Sequence, residues 1–511
     1  MKNILKLNVV LIFLLVASCK KDFLNKNPLN APSDATFWTS EKNATLWVNN
    51  LYRILPQVTD FYFDTMSDDT YGSSPGADGG AGYVANGTFD PTYAVVKKKW
   101  DYTYLRSCYE LLEKIDQVPG ISATGKSNLT GQTRFIIAFR YFEMITLYRD
   151  IPFFTKVLSI SESDLPKTEK SVILKYILEQ LDIAINDLPV SWPASDIGRA
   201  TKGAALTLKA RVLLYNERWA EAAAAAKAVM DLNVYQLHPK FNELFLSSFN
   251  NKTKEVILAY QYAANLNTHN ITFLYPFYNI GGIGASMPLP DLVNAYESKD
   301  GLPITKSPLY DPLKPFDNRD PRFYETFIYP FQSLAGVVYD PINNAETKAQ
   351  AKTYIYPRKY IADMFSQQRT SYVNWIIFRY ADLLLMYAEA KNEAGGPDNS
   401  IYDALDLVRL RAGMPKADRT VYNTKENLRE FIRNERRVEL ACEGLRYYDI
   451  IRWKIADKVL NKTIVSLTIP GVLPLQTIET RVFNPAKNYV WPIPQSAIDN
   501  SKNLVQHTEW K

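Results

Sequence analysis

The sequence predicts a mainly α protein: a helical solenoid of about four helical hairpins, interrupted by a large, loop-rich, partly β insertion that forms the ligand face. Three observations carry this expectation. Apolar residues recur at helical spacing through residues 98–232 and again through 375–411. The stretch 202–232, KGAALTLKARVLLYNERWAEAAAAAKAVMDL, reads as helix, short turn and helix, with alanine where the two would meet. Between these regions the window 276–357 holds eleven prolines, enough to prevent long helices.

The 511-residue chain opens with Lys2 and Lys6, an unbroken apolar run from Val9 to Val16, and the small residues Ala17 and Ser18 before Cys19. That is the layout of a secretory signal peptide. A spanning helix needs about 20 apolar residues, so the run is too short to cross a membrane. Val16-Ala17-Ser18-Cys19 resembles a bacterial lipobox, in which the cysteine is lipidated and becomes the first mature residue. Residues 1–18 are therefore expected to leave as signal, and 19–43 to form a lipidated cysteine and extended arm. Residues 44–511 are expected to form a single domain on that anchor. Net charge is +5, with charges mixed along the chain. No basic stripe indicates nucleic acid.

The helices follow in order. The segment 98–117 repeats Tyr104, Leu105, Cys108, Leu111, Leu112 and Ile115; 133–148 repeats Phe135, Ala138, Phe139, Phe142 and Ile145; 172–188 repeats Ile173, Ile177, Leu181 and Ala184. The hairpin at 202–232 resembles a tetratricopeptide repeat, a helical pair of about 34 residues. A second such hairpin runs through 375–394 and, after Gly395-Gly396-Pro397, through 401–411. The earlier pairs read as degenerate copies that complete one curved wall. A last helical stretch occupies 427–456, within a C-terminal helix and tail at 427–511. Cys108 and Cys442, each within a helical pattern, read as small buried hydrophobes; a disulfide between them stays open. Trp219, Trp375 and Trp453, inside helical motifs, are assigned to core.

The insertion, about 233–374, carries the short β-favouring run Glu255-Val-Ile-Leu-Ala-Tyr260 and many aromatics. Upstream, 60–95 shows no convincing helix, and the glycine-rich loop 72–82 is flanked by Tyr71 and Tyr83. Aromatic content is 13%, with 33 Tyr. Sugar rings present flat C–H faces that stack on aromatic faces, and binding groups concentrate in loops on rigid scaffolds. Aromatics in Gly- or Pro-rich, non-helical surroundings are therefore the ligand candidates: Tyr71, Tyr83, Trp100, Tyr275, Tyr278 and Tyr296.

Gly120-Ile-Ser-Ala-Thr-Gly125-Lys126-Ser127 matches the phosphate-loop pattern GxxxxGK[ST] but follows a helix where a strand is required, so it reads as a loop. Glu435, Glu439 and Glu443 share one helix face. Interleaved Arg433, Arg436, Arg437 and Arg446 favour ionised carboxylates in buried ion pairs over a general acid. His238, His269 and His507 are too few and scattered for a metal site or triad. Asp68 and Asp69, with Asp78 and Asp90, offer oxygen ligands for a structural Ca²⁺ or are solvated loop acids. No other cofactor and no catalytic residue is indicated.

The motifs NERRVELACEGLRYYDIIRW (434–453), VRLRAGMP (408–415), WPIPQSAID (491–499), NLVQ (503–506), RFIIAFRYFEMITLYRDIPF (134–153) and AYESKDGLP (295–303) occur together and in order. With the start at Cys19 they resemble the SusD-like (RagB/SusD) nutrient-uptake lipoproteins over the whole mature chain. The resemblance implies four tetratricopeptide-like pairs supporting a loop-rich ligand face. It also implies a non-catalytic role at the cell surface: an outer-membrane lipoprotein that captures a glycan, or else a peptide or other polymer fragment. The captured ligand would pass to a TonB-dependent, SusC-like transporter that the lipoprotein covers as a lid. A carbohydrate-active hydrolase is the alternative from another class. One departure is that Lys20 and Lys21 precede a lone Asp22, where surface-exported members often carry several acidic residues.

Overall fold

A computed structural model describes residues 37–73, 80–334, 336–361 and 369–511. The signal peptide, Cys19, most of the arm and Asp78 lie outside the described residues.

The scaffold helices are α1 (Glu41–Leu51), α2 (Thr103–Lys114), α3 (Ala123–Tyr148), α4 (Lys170–Asp187), α5 (Lys202–Tyr215), α6 (Trp219–Asp231), α7 (Tyr380–Gly395), α8 (Asn399–Arg411), α9 (Lys425–Glu439) and α10 (Arg446–Arg452). Half of them begin on a residue that satisfies orphan amides. Ser40, Ser122, Thr201, Asp398 and Thr424 each accept a backbone N–H of the following turn, a cap that typically contributes about 1 kcal/mol. Four packed pairs, α2–α3, α3–α4, α5–α6 and α7–α8, stack through α4–α5 and α6–α7 contacts, and α9 closes on α7. The mainly helical solenoid is thus present. Its core runs through Ile136, Phe139, Leu181, Leu208, Ala226, Leu384 and Leu405, each large side chain worth about 1.5–3 kcal/mol on burial.

Two predicted helices differ. Trp375–Arg379 is a strand, β4, and α7 starts only after it. Its run WIIFR is rich in β-branched and aromatic residues and buried throughout. It pairs antiparallel with β2 (Val256–Tyr260), the β-favouring run of the insertion, with Trp375 opposite Tyr260. The stretch 427–456 is broken between α9 and α10, where Cys442 adopts φ 62°. Cys442 therefore sits in a turn rather than a helix. Cys108 and Cys442 are both buried and free. Trp375 and Trp453 are buried, whereas Trp219 is only half-buried.

The insertion has its own apolar core, including Phe61, Phe241, Tyr275, Tyr296, Phe323, Tyr356 and Trp375. Short antiparallel ribbons tie it together. β1 (Thr70–Gly72) pairs with β3 (Ser286–Pro288), placing Tyr71 opposite Met287. β5 (Lys462–Val465) pairs with β6 (Thr477–Arg481) nearer the C-terminus. Short helices at Tyr62–Thr65 and Ala81–Ala85 occupy a region where the sequence predicted none. Among the described residues no helix is long and apolar enough to cross a membrane.

Candidate functional site

The segment 271–288 folds back on itself. Ile283 N–H donates to Phe273 O at 3.0 Å, Gly284 N–H to Pro276 O at 2.9 Å and Ala285 N–H to Leu274 O at 2.6 Å. At its tip Tyr278 is 44% exposed. The neighbouring Phe277 is buried against Tyr339, with ring centroids 4.7 Å apart. Tyr339 closes a ribbon whose start, Phe331, is 45% exposed and held at φ 68°. Phe331 N–H donates to Tyr339 O at 2.7 Å. Asn279, beside Tyr278, accepts from the Thr347 hydroxyl. Half-buried Tyr71 reaches the same sub-assembly through β1–β3. Close by in the chain, Phe273 carries the Arg369 guanidinium 4.7 Å from its ring centre. The result is open aromatic surface on irregular backbone, fixed from below by a packed core.

Of the six predicted aromatics, Tyr71 and Tyr278 belong to this face. Tyr83, on the short helix that packs against β1, is half-buried and leans on Tyr93 at 4.8 Å. Trp100 lies elsewhere. It meets Tyr148 edge-on at 4.9 Å and walls a separate cleft of about 550 Å³ with Tyr102, Phe154, Arg106 and Leu504.

Tyr275 and Tyr296 are corrected. They are 1% and 0% exposed; Tyr275 packs edge-on against Phe61 at 4.9 Å and the Tyr296 hydroxyl donates to Val438 O at 3.0 Å. Neither ring can meet a ligand, because both fill the core under the face. Phe331 was missed. It follows Pro330 in non-helical chain, so the rule that selected the other six would also have selected it.

Asp68 and Asp69 are corrected too, as neither Ca²⁺ ligands nor solvated acids. Asp68 accepts from Arg446 Nε at 2.9 Å and Arg437 Nη2 at 3.0 Å, and Asp69 from Arg437 Nε at 2.6 Å. Burial opposes ionisation of Asp68, but Arg437 and Arg446 outweigh it and hold the carboxyl low. Among the described residues no cluster of His, Cys, Asp and Glu is arranged for a metal.

The row Glu435, Glu439 and Glu443 forms the predicted ion-pair network. Glu435 accepts from Arg322 at 2.6 Å and Arg409 at 2.8 Å; Glu439 from Arg379 at 2.5 Å, Arg322 at 2.9 Å and Arg411; Glu443 from Lys359 and Arg379, both at 2.8 Å. Arg322, Lys359 and Arg379 come from the insertion and β4. The network thus fastens α9 to both, and these carboxylates are spent on structure.

Beside it, Asp64 is buried and accepts from Gly444 N–H at 2.8 Å. Burial pushes its carboxyl up to about 8; the Gly444 N–H offsets part of this and Asp69 and Glu443 add to it. The native state holds this proton where the unfolded chain releases it. The group's stabilising contribution is therefore full below the ordinary value of 3.8 and lost as pH rises toward about 8. Asp64→Asn keeps the acceptor and cannot ionise. It is expected to match the parent near pH 4 and exceed it by on the order of 5 kcal/mol near pH 8. Tm against pH for both proteins checks this; parallel curves would mean Asp64 is ionised throughout.

The phosphate-loop match is not a phosphate loop. Ser122 caps α3, which begins at Ala123 inside the motif, and Lys126 pairs with Asp116. The three histidines are far apart in role: His238 meets Glu243, His269 bonds Val373 O, and His507 is buried near Lys167.

The SusD family model matches residues 254–510. The chain belongs to the SusD family. SusD-like protein P38 of Formosa agariphila is 26% identical over 490 residues, covering 90% of this chain and 93% of that one. The crystal structure of a SusD-like carbohydrate binding protein from Bacteroides fragilis superposes with TM-score 0.84 at 28% identity, over 92% of this chain and 100% of that one. A laminarin binding SusD-like protein shares the fold, with TM-score 0.71 at 24% identity over 92% and 99%. The SusD-family match covers α7 to α10 and most of the insertion, so the network around Glu439 lies almost entirely within it.

Proposed function

We propose that this chain is a cell-surface lipoprotein of the outer membrane that binds oligo- or polysaccharide at the insertion face. It hands the ligand to a SusC-like TonB-dependent transporter and does not cleave it. The observation that carries the reading is the exposed pair Tyr278 and Phe331 on core-anchored, non-helical chain. Exposed rings of this kind offer stacking surfaces at little ordering cost. Family membership and the carbohydrate-binding relative at 28% identity support it. Lipidation at Cys19 would supply the tether, since each buried methylene contributes about 0.8 kcal/mol and stable anchoring takes more than one chain.

A glycan array followed by calorimetry tests this. The parent is expected to retain a polysaccharide, release no reducing ends, and lose about tenfold in affinity with either Tyr278→Ala or Phe331→Ala. Trp100→Ala should leave that affinity unchanged if the cleft at Trp100 is a separate feature. Binding of peptides with no glycan retained would replace the ligand class.

A further inference from the structure

A cleft of about 310 Å³ opens where the end of α1, the connection between α4 and α5, and β2 meet. Asn49 and Arg53 come from the first, the stretch 195–199 from the second, and Tyr260 and Gln261 from the third. None of these residues belongs to the Tyr278 face.

Much of the lining is fixed by bonds within the protein. Arg199 donates from Nε to Asp196 at 2.8 Å and from Nη1 to Asn49 Oδ1 at 2.7 Å, so one guanidinium ties α1 to the connection. Gln261 accepts from Asn251 at 2.6 Å and Asn374 at 3.1 Å, and donates to Ala259 O at 3.0 Å. Gly198, at φ 102°, brings the connection so close that a Cβ there would stand 2.7 Å from Gln261 Cγ. Tyr260 is half-buried, with the Tyr262 ring beside it at 5.1 Å.

Two planar donors are left over on this fixed frame. Among the described residues the Arg53 guanidinium has no hydrogen-bond partner or ion pair, and the Asn49 amide uses only its oxygen. Asp196, the acid of the lining, is already bound by Arg199 and Ser195. Burial raises the Tyr260 phenol and the Arg53 charge offsets part of this, so guanidinium and ring lie within electrostatic reach of each other. A pyranose presents a flat C–H face and a rim of hydroxyls. The Tyr260 ring suits the first, and the Arg53 fork and the Asn49 NH₂ suit the hydroxyl oxygens. The larger cleft at Trp100 differs, because its walls include Leu158, Leu165 and Leu504, which offer hydroxyls no partner.

We infer that the cleft between Arg53 and Tyr260 is a second saccharide subsite, holding one or two sugar units of the glycan that the insertion face binds. The inference rests on the glycan reading for its ligand class. The volume is at the lower end for small-ligand sites, which suits one or two rings rather than a longer stretch. Two subsites on one protein raise the avidity for a polymer long enough to reach both, and give a short fragment no such gain.

Calorimetry of the full mature protein tests this with the polysaccharide that the parent retains on the array and with its tetrasaccharide fragment. Two tetrasaccharide sites per protein are expected. Arg53→Ala/Tyr260→Ala should remove one and Tyr278→Ala the other, and each change should weaken the intact polysaccharide about tenfold. Should the double variant fold poorly, Arg53→Ala alone, at an exposed position, weakens the same site. A single site that is lost in Tyr278→Ala and unchanged in the Arg53 variants overturns the subsite and leaves the glycan reading standing. A single site that follows the Arg53 variants instead supports this cleft and removes the insertion face. A parent that retains no glycan overturns both.

Discussion

Glu439→Gln is expected to lose about 3–5 kcal/mol of stability, the usual consequence of removing one partner from a buried ion cluster. Glu439 is fully buried, and Arg379, Arg322 and Arg411 all converge on its two oxygens. Burial pushes the carboxyl up, yet Arg411, Arg379 and Arg322 together outweigh it and hold the group well below its usual range. Glutamine keeps the shape but leaves guanidinium groups facing each other across a neutral amide. Because the native value is depressed, the stabilisation is present above the ordinary 4.5 and lost as pH falls through the native value. The deficit of the variant should therefore shrink in acid. Urea unfolding at neutral and acid pH measures both effects; the midpoint should move with the slope unchanged. A loss under about 1 kcal/mol at neutral pH would mean that the cluster is solvated.

Gly87→Ala is the second large effect, expected at about 2–5 kcal/mol. Gly87 has φ 76°, and a Cβ there would stand 1.8 Å from Val482 O. That close approach lets the chain after Tyr83 lie on the C-terminal segment. There Gln495 N–H donates to Pro91 O at 2.9 Å and Phe89 meets Trp510 at 5.1 Å. An added methyl must part the two backbones. Gly120 is the internal control: its φ is 67° but nothing lies within 4 Å of its Cβ position. Gly120→Ala should then show only the left-handed penalty, about 1–2 kcal/mol. Thermal unfolding of the two variants side by side separates strain from contact; equal losses would remove the contact from the account.

The legible parts of the sequence were those governed by short-range periodicity. The α5–α6 hairpin follows from alanine spacing and a three-residue turn, and β2 from its β-branched run. The strand at 375–379 was misread because WIIFR joins the helical pattern of α7 without a break, and only the distant Val256–Tyr260 edge makes it a strand. The candidate site was half legible. Tyr71 and Tyr278 were chosen by their surroundings and are open or half-open, but Tyr275 and Tyr296 satisfy the same rule and are buried. Only two residues separate Tyr275 from Tyr278, so which ring points outward depends on what packs beneath, and composition carries no record of that.

By itself, then, the sequence determined the helical class, the proline-rich interruption, the arginine-held glutamates of α9 and the family. Each rests on local spacing or residue type, and these are written in order along the chain. The tertiary structure decided which aromatics form the face, and that Asp68 and Asp69 are bound to Arg437 and Arg446 far along the chain. Burial and charge compensation are sums over neighbours hundreds of residues apart, and they exist only once the chain has folded.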